Sequence, residues 1–193
     1  MSHYFIENHD VITHERELTA EIFGMQFSFL TNNGLFSCDK IDEVSRTLIE
    51  NLPAINGSLL DLGCGYGVIG ITLAKKYGVT LTMSDVNSIA IDYALRNAVR
   101  NNIDATAIHS NSFENIHENF DNITLNPPIH AGKDIMYKMY EDAAQHLNVS
   151  GSFYVIIQKK HGAETTARKL NEIFGNCSII YKKKGCFIFR CTT

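Results

Sequence analysis

Leu60-Asp61-Leu62-Gly63-Cys64-Gly65-Tyr66-Gly67-Val68-Ile69-Gly70 is the stretch on which the reading of this chain turns. Ser58 to Leu62 reads as a strand, and from about Tyr66 to Tyr77 the pattern is helical, so the glycines lie where a strand feeds a helix. Gly65, Gly67 and Gly70 match G-x-G-x-x-G, in which glycines make a tight turn and let the backbone approach a nucleotide. Outward from this loop the alternation continues. Val79 to Ser84 reads as a second strand. Asn87 to Asn102 reads as a helix with Ala90, Tyr93, Ala94, Asn97 and Ala98 on one face. Ala105 to His109 and Asn122 to Leu125 read as strands, Lys133 to Leu147 as a helix, and Phe153 to Gln158 as the most apolar strand. After a helix from Glu164 to Phe174, Ser178 to Lys182 and Cys186 to Cys191 form a closing pair around Gly185. Such alternation implies right-handed βαβ units. The expected class is α/β, a doubly wound, mostly parallel, seven-stranded Rossmann-like sheet.

Upstream of residue 58 the pattern differs. Ile22 to Leu30 is β-rich around Gly24, Asn32-Asn33-Gly34 makes a turn, and Ile41, Val44, Leu48 and Leu52 give Asp39 to Leu52 a helical spacing that Pro53 stops. A small N-terminal β extension and a leading helix over residues 1–57 are expected to pack on an α/β core over 58–193 as one domain, because so short a segment would struggle to stabilise itself. No apolar run approaches the roughly 18 residues of a membrane span, which argues against a transmembrane protein. The first 20 residues are charged and lack an apolar run, unlike a secretory signal, so the expected location is cytoplasmic. Five cysteines, odd in number and without a C-x-x-C pair, suggest neither a disulfide framework nor a zinc knuckle, and with the histidines scattered no metal is expected. The net charge of -4 hides an asymmetry: residues 1–60 hold 3 basic and 9 acidic side chains, residues 151–193 hold 8 and 2. A basic block of this kind is either solvated surface or the footprint of a polyanion.

The glycine pattern alone would name a nicotinamide dinucleotide, with Asp85, at the end of the second strand and 20 residues after Gly65, as the ribose carboxylate. Asp61 argues otherwise, since an acid just before the glycines would repel a pyrophosphate and attract an amine. A ribose for Asp85 and a positive amino acid part near Asp61 fit S-adenosyl-L-methionine better. At this point D-L-G-C-G-Y-G resembles the first motif of the class I S-adenosylmethionine-dependent methyltransferases. The resemblance implies that Gly63, Gly65 and Gly67 admit the methionine part beside Asp61 and that Asp85 takes the ribose hydroxyls. Where the family often has an acid near the adenine amine, this chain offers Asn111, whose side-chain oxygen accepts the same bond.

Thr124-Leu125-Asn126-Pro127-Pro128-Ile129-His130 follows the fourth strand, which neighbours the first in a doubly wound sheet, so Asn126 should emerge beside Gly63. An exocyclic amine has its lone pair delocalised; a site that methylates it must supply acceptors that hold the N–H groups and favour an sp3-like nitrogen. The Asn126 side-chain oxygen and the Pro127 carbonyl suit that task, and the two prolines fix the backbone that aims them. N-P-P resembles the fourth motif of amino-methyltransferases acting on adenine, guanine or glutamine amide. The longer N-P-P-I-H-A-G-K (126–133), with T-N-N-G-L-F-S (31–37) and V-I-I-Q-K-K-H-G-A (155–163), resembles the small-subunit ribosomal RNA guanine-N2 methyltransferases in a short stand-alone form, over residues 20 to 192. That resemblance implies catalytic Asn126, Pro127 and Pro128, with Asn126 also bordering the cofactor, and ribosomal RNA or the small ribosomal subunit as partner. Ile129 stands where related enzymes place an aromatic, which leaves Phe36 to stack on a base. His130, Lys133, Lys159 and Lys160 are the remaining substrate contacts it suggests. A protein glutamine-amide methyltransferase, or a non-catalytic RNA-binding or assembly module on the same fold, is the alternative reading. Phe27, Phe29, Phe187 and Phe189 alternate along strands and are read as core.

Overall fold

The computed structural model describes residues 14–192; the first thirteen, on which the reading of the leading segment partly rests, lie outside the described residues. A two-stranded antiparallel sheet comes first, β1 (Glu15–Ile22) and β2 (Met25–Asn32), followed by α1 (Glu43–Asn51). Then come β3 (Ser58–Leu62), α2 (Val68–Tyr77), β4 (Thr80–Asp85), α3 (Ser88–Arg100), β5 (Ala105–His109) and β6 (Phe120–Leu125). The chain closes with α4 (Lys133–Gln145), β7 (Leu147–Gln158), α5 (Ala163–Phe174), β8 (Cys177–Lys183) and β9 (Cys186–Thr192). Strands β3 to β9 form one seven-stranded sheet in the order β5-β4-β3-β6-β7-β9-β8. The first five of these are mutually parallel, while β9 runs antiparallel to both β7 and β8. The strand order reverses between β3 and β4 on one side and β6 on the other, which opens a crevice at their carboxyl ends.

Two apolar layers cover the sheet, sorted by the two-residue period of the strands. Tyr154 and Ile156 of β7 face Leu48, Ile49, Ile71, Leu73 and Ala90. Phe153, Val155 and Ile157 face Met136, Tyr140 and Leu170 on the other side. Phe27 and Phe29 lie buried in the first layer, Phe187 and Phe189 in the second. Burying both faces makes the parallel strands continuously apolar, which is why their positions were legible.

The boundaries depart from expectation in three places. Strand β1 was not anticipated, because E-R-E-L-T-A-E-I alternates charge with modest apolar residues; it pairs with β2 through the tight turn at Phe23 and Gly24, both at positive φ (57° and 72°). Helix α1 starts at Glu43, since the Asp42 side chain accepts from the Ser45 amide at 2.8 Å and caps the helix. Strand β7 begins at Leu147, paired with Phe120, where the helical pattern was expected to end. The hairpin is held to α3 by two asparagines one turn apart. Asn97 exchanges hydrogen bonds with the Leu30 backbone (2.7 and 2.9 Å) and Asn101 with that of Ser28 (3.2 and 2.8 Å). Their side-chain amides thus act as a strand edge for β2. Among the described residues no helix is long and apolar enough to cross a membrane.

Candidate active site

Parallel register sets the floor of the crevice. Leu62 pairs with Ser84 on one side and with Leu125 on the other, so Gly63, Asp85 and Asn126 follow at the same carboxyl edge. They line one cavity of about 1370 Å³, together with Cys64, Gly65, Asn111, Pro127, Pro128, Ile129, His130, Phe36 and Lys160. Gly67, Lys133, Lys159 and Asp61 do not line it.

The glycine loop is built from both sides. Gly63 and Gly65 sit at positive φ (68° and 55°), and a Cβ on Gly65 would meet nothing within 4 Å. Gly67, also at positive φ (92°), and Gly70 are needed for packing: a Cβ would come within 2.7 Å of Ile71 Cδ1 at the first and within 2.8 Å of Leu81 Cδ1 at the second. Asp85, nearly fully buried, accepts the Gly65 amide at 2.8 Å and the Asn87 amide at 2.9 Å, one on each oxygen.

Asp61 corrects the expectation drawn from its position in sequence. Its side chain shares a face of β3 with Leu59, beneath α2, and it is 1% exposed. One oxygen accepts the Gly70 amide at 2.8 Å and the other the Thr124 hydroxyl at 3.1 Å. It therefore satisfies an orphan amide of the first turn of α2 and does not line the cavity. Burial, against those two hydrogen bonds, pushes its carboxyl up to about 7. The bias against a pyrophosphate survives on other grounds, because acids of the chain itself already occupy the Gly65 and Gly70 amides.

At the far end of the cavity lie Ser110, Asn111, Ser112, Phe113 and Glu114, after β5. Asn111 donates to Glu114 at 2.9 Å, and since a carboxylate only accepts, the Asn111 side-chain oxygen is turned the other way. Glu114 supplies the acid that the sequence had not shown near this end. Ser84 and Ser112 belong to the same lining; their hydroxyl oxygens are buried and find no hydrogen-bond partner among the described residues. Open glycine backbone and a buried carboxylate at the ends of neighbouring strands in one trough fit a nucleoside joined to an amino acid.

On the opposite wall, Asn126 donates through Nδ2 to Asp42 Oδ2 (3.1 Å) and to Ser45 Oγ (3.0 Å). Neither partner was anticipated. The run D-E-V-S (42–45) signals a helix start, but nothing in it announces a contact with a residue 84 positions away. Phe36, exposed, and the short turn Ile129–Ala131 flank the mouth. His161 and Gln158, also unanticipated, join Lys160 there. Burial, together with the charges of Lys160 and His130, pulls the His161 imidazole below its usual range.

The lysines gather more closely than their sequence positions suggest. Because β9 runs antiparallel to β7, Cys186 pairs with Gln158, and the Lys159 amide donates to the Gly185 carbonyl at 2.7 Å. The β8–β9 turn that follows Lys182, Lys183 and Lys184 therefore meets Lys159 and Lys160 at the carboxyl edge of the sheet.

A doubly wound sheet with this glycine crevice and an N-P-P strand end defines a methyltransferase of the S-adenosylmethionine-dependent class. The chain belongs to the methyltransferase small domain family, whose profile matches residues 26–190. It is 37% identical to the uncharacterized protein YbxB of Bacillus subtilis, over 97% of this chain and 96% of that one. It is also 37% identical to the ribosomal RNA small subunit methyltransferase C of Aeromonas hydrophila, over 68% of this chain but 40% of that protein, so it spans under half the length of that relative. Among solved structures, the T. thermophilus 16S rRNA N2 G1207 methyltransferase in complex with AdoMet and guanosine has the same fold (TM-score 0.81, 24% identity, 93% of this chain and 50% of that one).

Proposed function

We propose that this protein methylates the exocyclic N2 of a guanine in ribosomal RNA, using S-adenosylmethionine. The observation that carries the reading is the placement of Asn126, Pro127 and Pro128 in the same cavity as Gly63, Gly65 and Asp85. Asp85 would hold the ribose hydroxyls, the Gly63–Gly65 backbone the methionine part, and Asn111 with Glu114 the adenine edge. When bound, the cofactor supplies an electrophilic methyl group on a sulfonium. The chain's own task is to hold the amine. Asn126 Oδ1 and the Pro127 carbonyl accept its N–H groups, and the prolines keep both acceptors from relaxing away. No strong general base is needed, because the nitrogen becomes acidic once alkylated. Ile129 offers little stacking area, so the base would rest on Phe36 at the mouth.

The lysine edge favours RNA over a protein amide. Lys160 lines the cavity, and Lys159 and the turn after Lys182 to Lys184 lie at the same edge of the sheet on a chain of net charge -4; such a local patch would concentrate phosphate affinity there. The test is single-turnover methyl transfer from labelled cofactor onto purified 16S ribosomal RNA, small subunits and ribosomal protein, with nucleosides identified by mass spectrometry. N2-methylguanosine is the expected product. Label in protein, or no label in any arm, overturns the reading.

A further inference from the structure

The least expected contact in the crevice joins the end of β6 to the start of α1. Asn126 Nδ2 lies 3.1 Å from Asp42 Oδ2 and 3.0 Å from Ser45 Oγ, and Ser45 Oγ lies 3.0 Å from Asp42 Oδ2. Three atoms so nearly equidistant leave one N–H directed between two acceptors, a three-centre bond. The direction of the Asn126 amide is dictated by this triangle. A carboxylate cannot donate, and the Ser45 hydroxyl hydrogen is committed to Asp42, so Nδ2 must face α1. Turned over, the amide would set Oδ1 against a carboxylate oxygen and a hydroxyl oxygen with no hydrogen to offer. It would also present N–H groups to the cavity, donor against donor, for any amine entering there.

We propose that Asp42 and Ser45 are positioning residues that lock the Asn126 side chain with its oxygen toward the substrate amine. The role rests on the amine-methylating reading given above. Asp42 suits it because the same carboxylate caps α1 by accepting the Ser45 amide at 2.8 Å, so its own direction is fixed by the helix. That helix is anchored in turn: Leu48 and Ile49 are fully buried against the core. The N-terminal segment is then a working part of the site, since it supplies the group that orients a residue of β6.

Two substitutions separate orientation from folding. Asp42→Ser keeps an oxygen that caps α1 but is too short to reach Asn126, whereas Asp42→Asn keeps an acceptor of the original length. Expected for Asp42→Ser is a fall in kcat on the order of tenfold or more, because part of the ground state now carries the wrong amide direction. RNA KM and cofactor Kd should stay within a few fold and Tm within a few degrees. Asp42→Asn should recover most of kcat. A second readout needs no turnover: the Asn126 side-chain NH2 resonance in a 15N-labelled spectrum should move in Asp42→Ser and return toward wild type in Asp42→Asn. Wild-type kcat in Asp42→Ser, an unmoved resonance, or loss of kcat only in step with Tm and cofactor affinity overturns the role. If the wild-type enzyme transfers no methyl to RNA, the functional reading fails by itself, and the resonance still decides whether Asp42 holds Asn126.

Discussion

The two walls of the crevice are made differently. The glycine wall is self-contained: Asp85 of β4 accepts the Gly65 amide of the loop after β3, and Asp61 of β3 accepts the Gly70 amide in the first turn of α2. The wall around Asn126 is borrowed, with Asp42 and Ser45 from the leading helix, Phe36 from the turn after the hairpin, and Lys160 and His161 from the end of β7. A wall made of consecutive βαβ units has its geometry fixed by short-range connections. A wall assembled from distant segments depends on the packing that joins them.

Substitutions on the two walls should therefore give separable failures. The largest effect is expected at Asn126→Ala, where turnover should fall on the order of a hundredfold or more while cofactor affinity stays within a few fold, because the lost acceptor acts mainly in the transition state. Rapid-quench methyl transfer and calorimetry on the same preparation check this; a proportional loss of both would merge the two walls. Next in size is Asp85→Asn, which keeps an acceptor for only one of the Gly65 and Asn87 amides and weakens the bonds to a ribose diol. Cofactor affinity should drop by roughly 2 kcal/mol, about thirtyfold, with the RNA Kd unchanged. Unaltered calorimetric affinity would remove Asp85 from the ribose.

The lysine edge should show itself in salt dependence. Each phosphate contact with single-stranded RNA adds roughly -0.7 to the slope of log affinity against log salt, so the Lys159→Ala, Lys160→Ala double variant should flatten that slope by about 1 to 1.5 units. Alanine at Lys182, Lys183 and Lys184 should flatten it further, since the turn sits at the same edge. A slope that does not move in either variant leaves these lysines as solvated surface and favours a protein substrate.

The smallest effect concerns stability. Asp61 has a folded-state value of about 7, above the ordinary carboxylate range, so between about pH 4 and pH 7 the folded state holds a proton that the unfolded state has released. Its contribution is fully present below that window and is lost as pH rises through it. Asp61→Asn retains an acceptor for the Gly70 amide and carries no charge, so its Tm should exceed that of wild type by a few degrees at pH 8 and depend less on pH from 4 to 7. A steeper pH dependence in the variant would mean that Asp61 is ionised in the fold.

Much of the glycine wall was legible in the chain. Strands with both faces covered are short apolar runs, and helices against them repeat near 3.6, so the seven strands could be anticipated from periodicity with small shifts at the ends, while their order came from the structure. The glycines were legible because turns and close packing exclude other residues, and Asn126-Pro127-Pro128 because two successive prolines are rare punctuation in a chain that has three. Strand β1 escaped because half of its residues face solvent and carry charge, so it lacks an apolar run.

Three features were decided by the tertiary structure alone. Sequence placed Asp61 before the glycines; the two-residue period of β3 turned it under α2, where Gly70, lacking a Cβ, lets the helix approach closely enough for its amide to bond the acid. Sequence placed Asp42 inside a helix from Asp39; the structure makes it the cap of α1, and only the packing of α1 on the core brings that carboxylate to Asn126. Sequence placed three lysines before Gly185; the antiparallel return of β9 beside β7 brings the turn that follows them to the carboxyl edge of the sheet rather than to the opposite edge. The physical reason is common to all three. Periodicity and turn chemistry are local properties of the chain, whereas the direction of a side chain toward a partner far away in sequence exists only once the layers have packed.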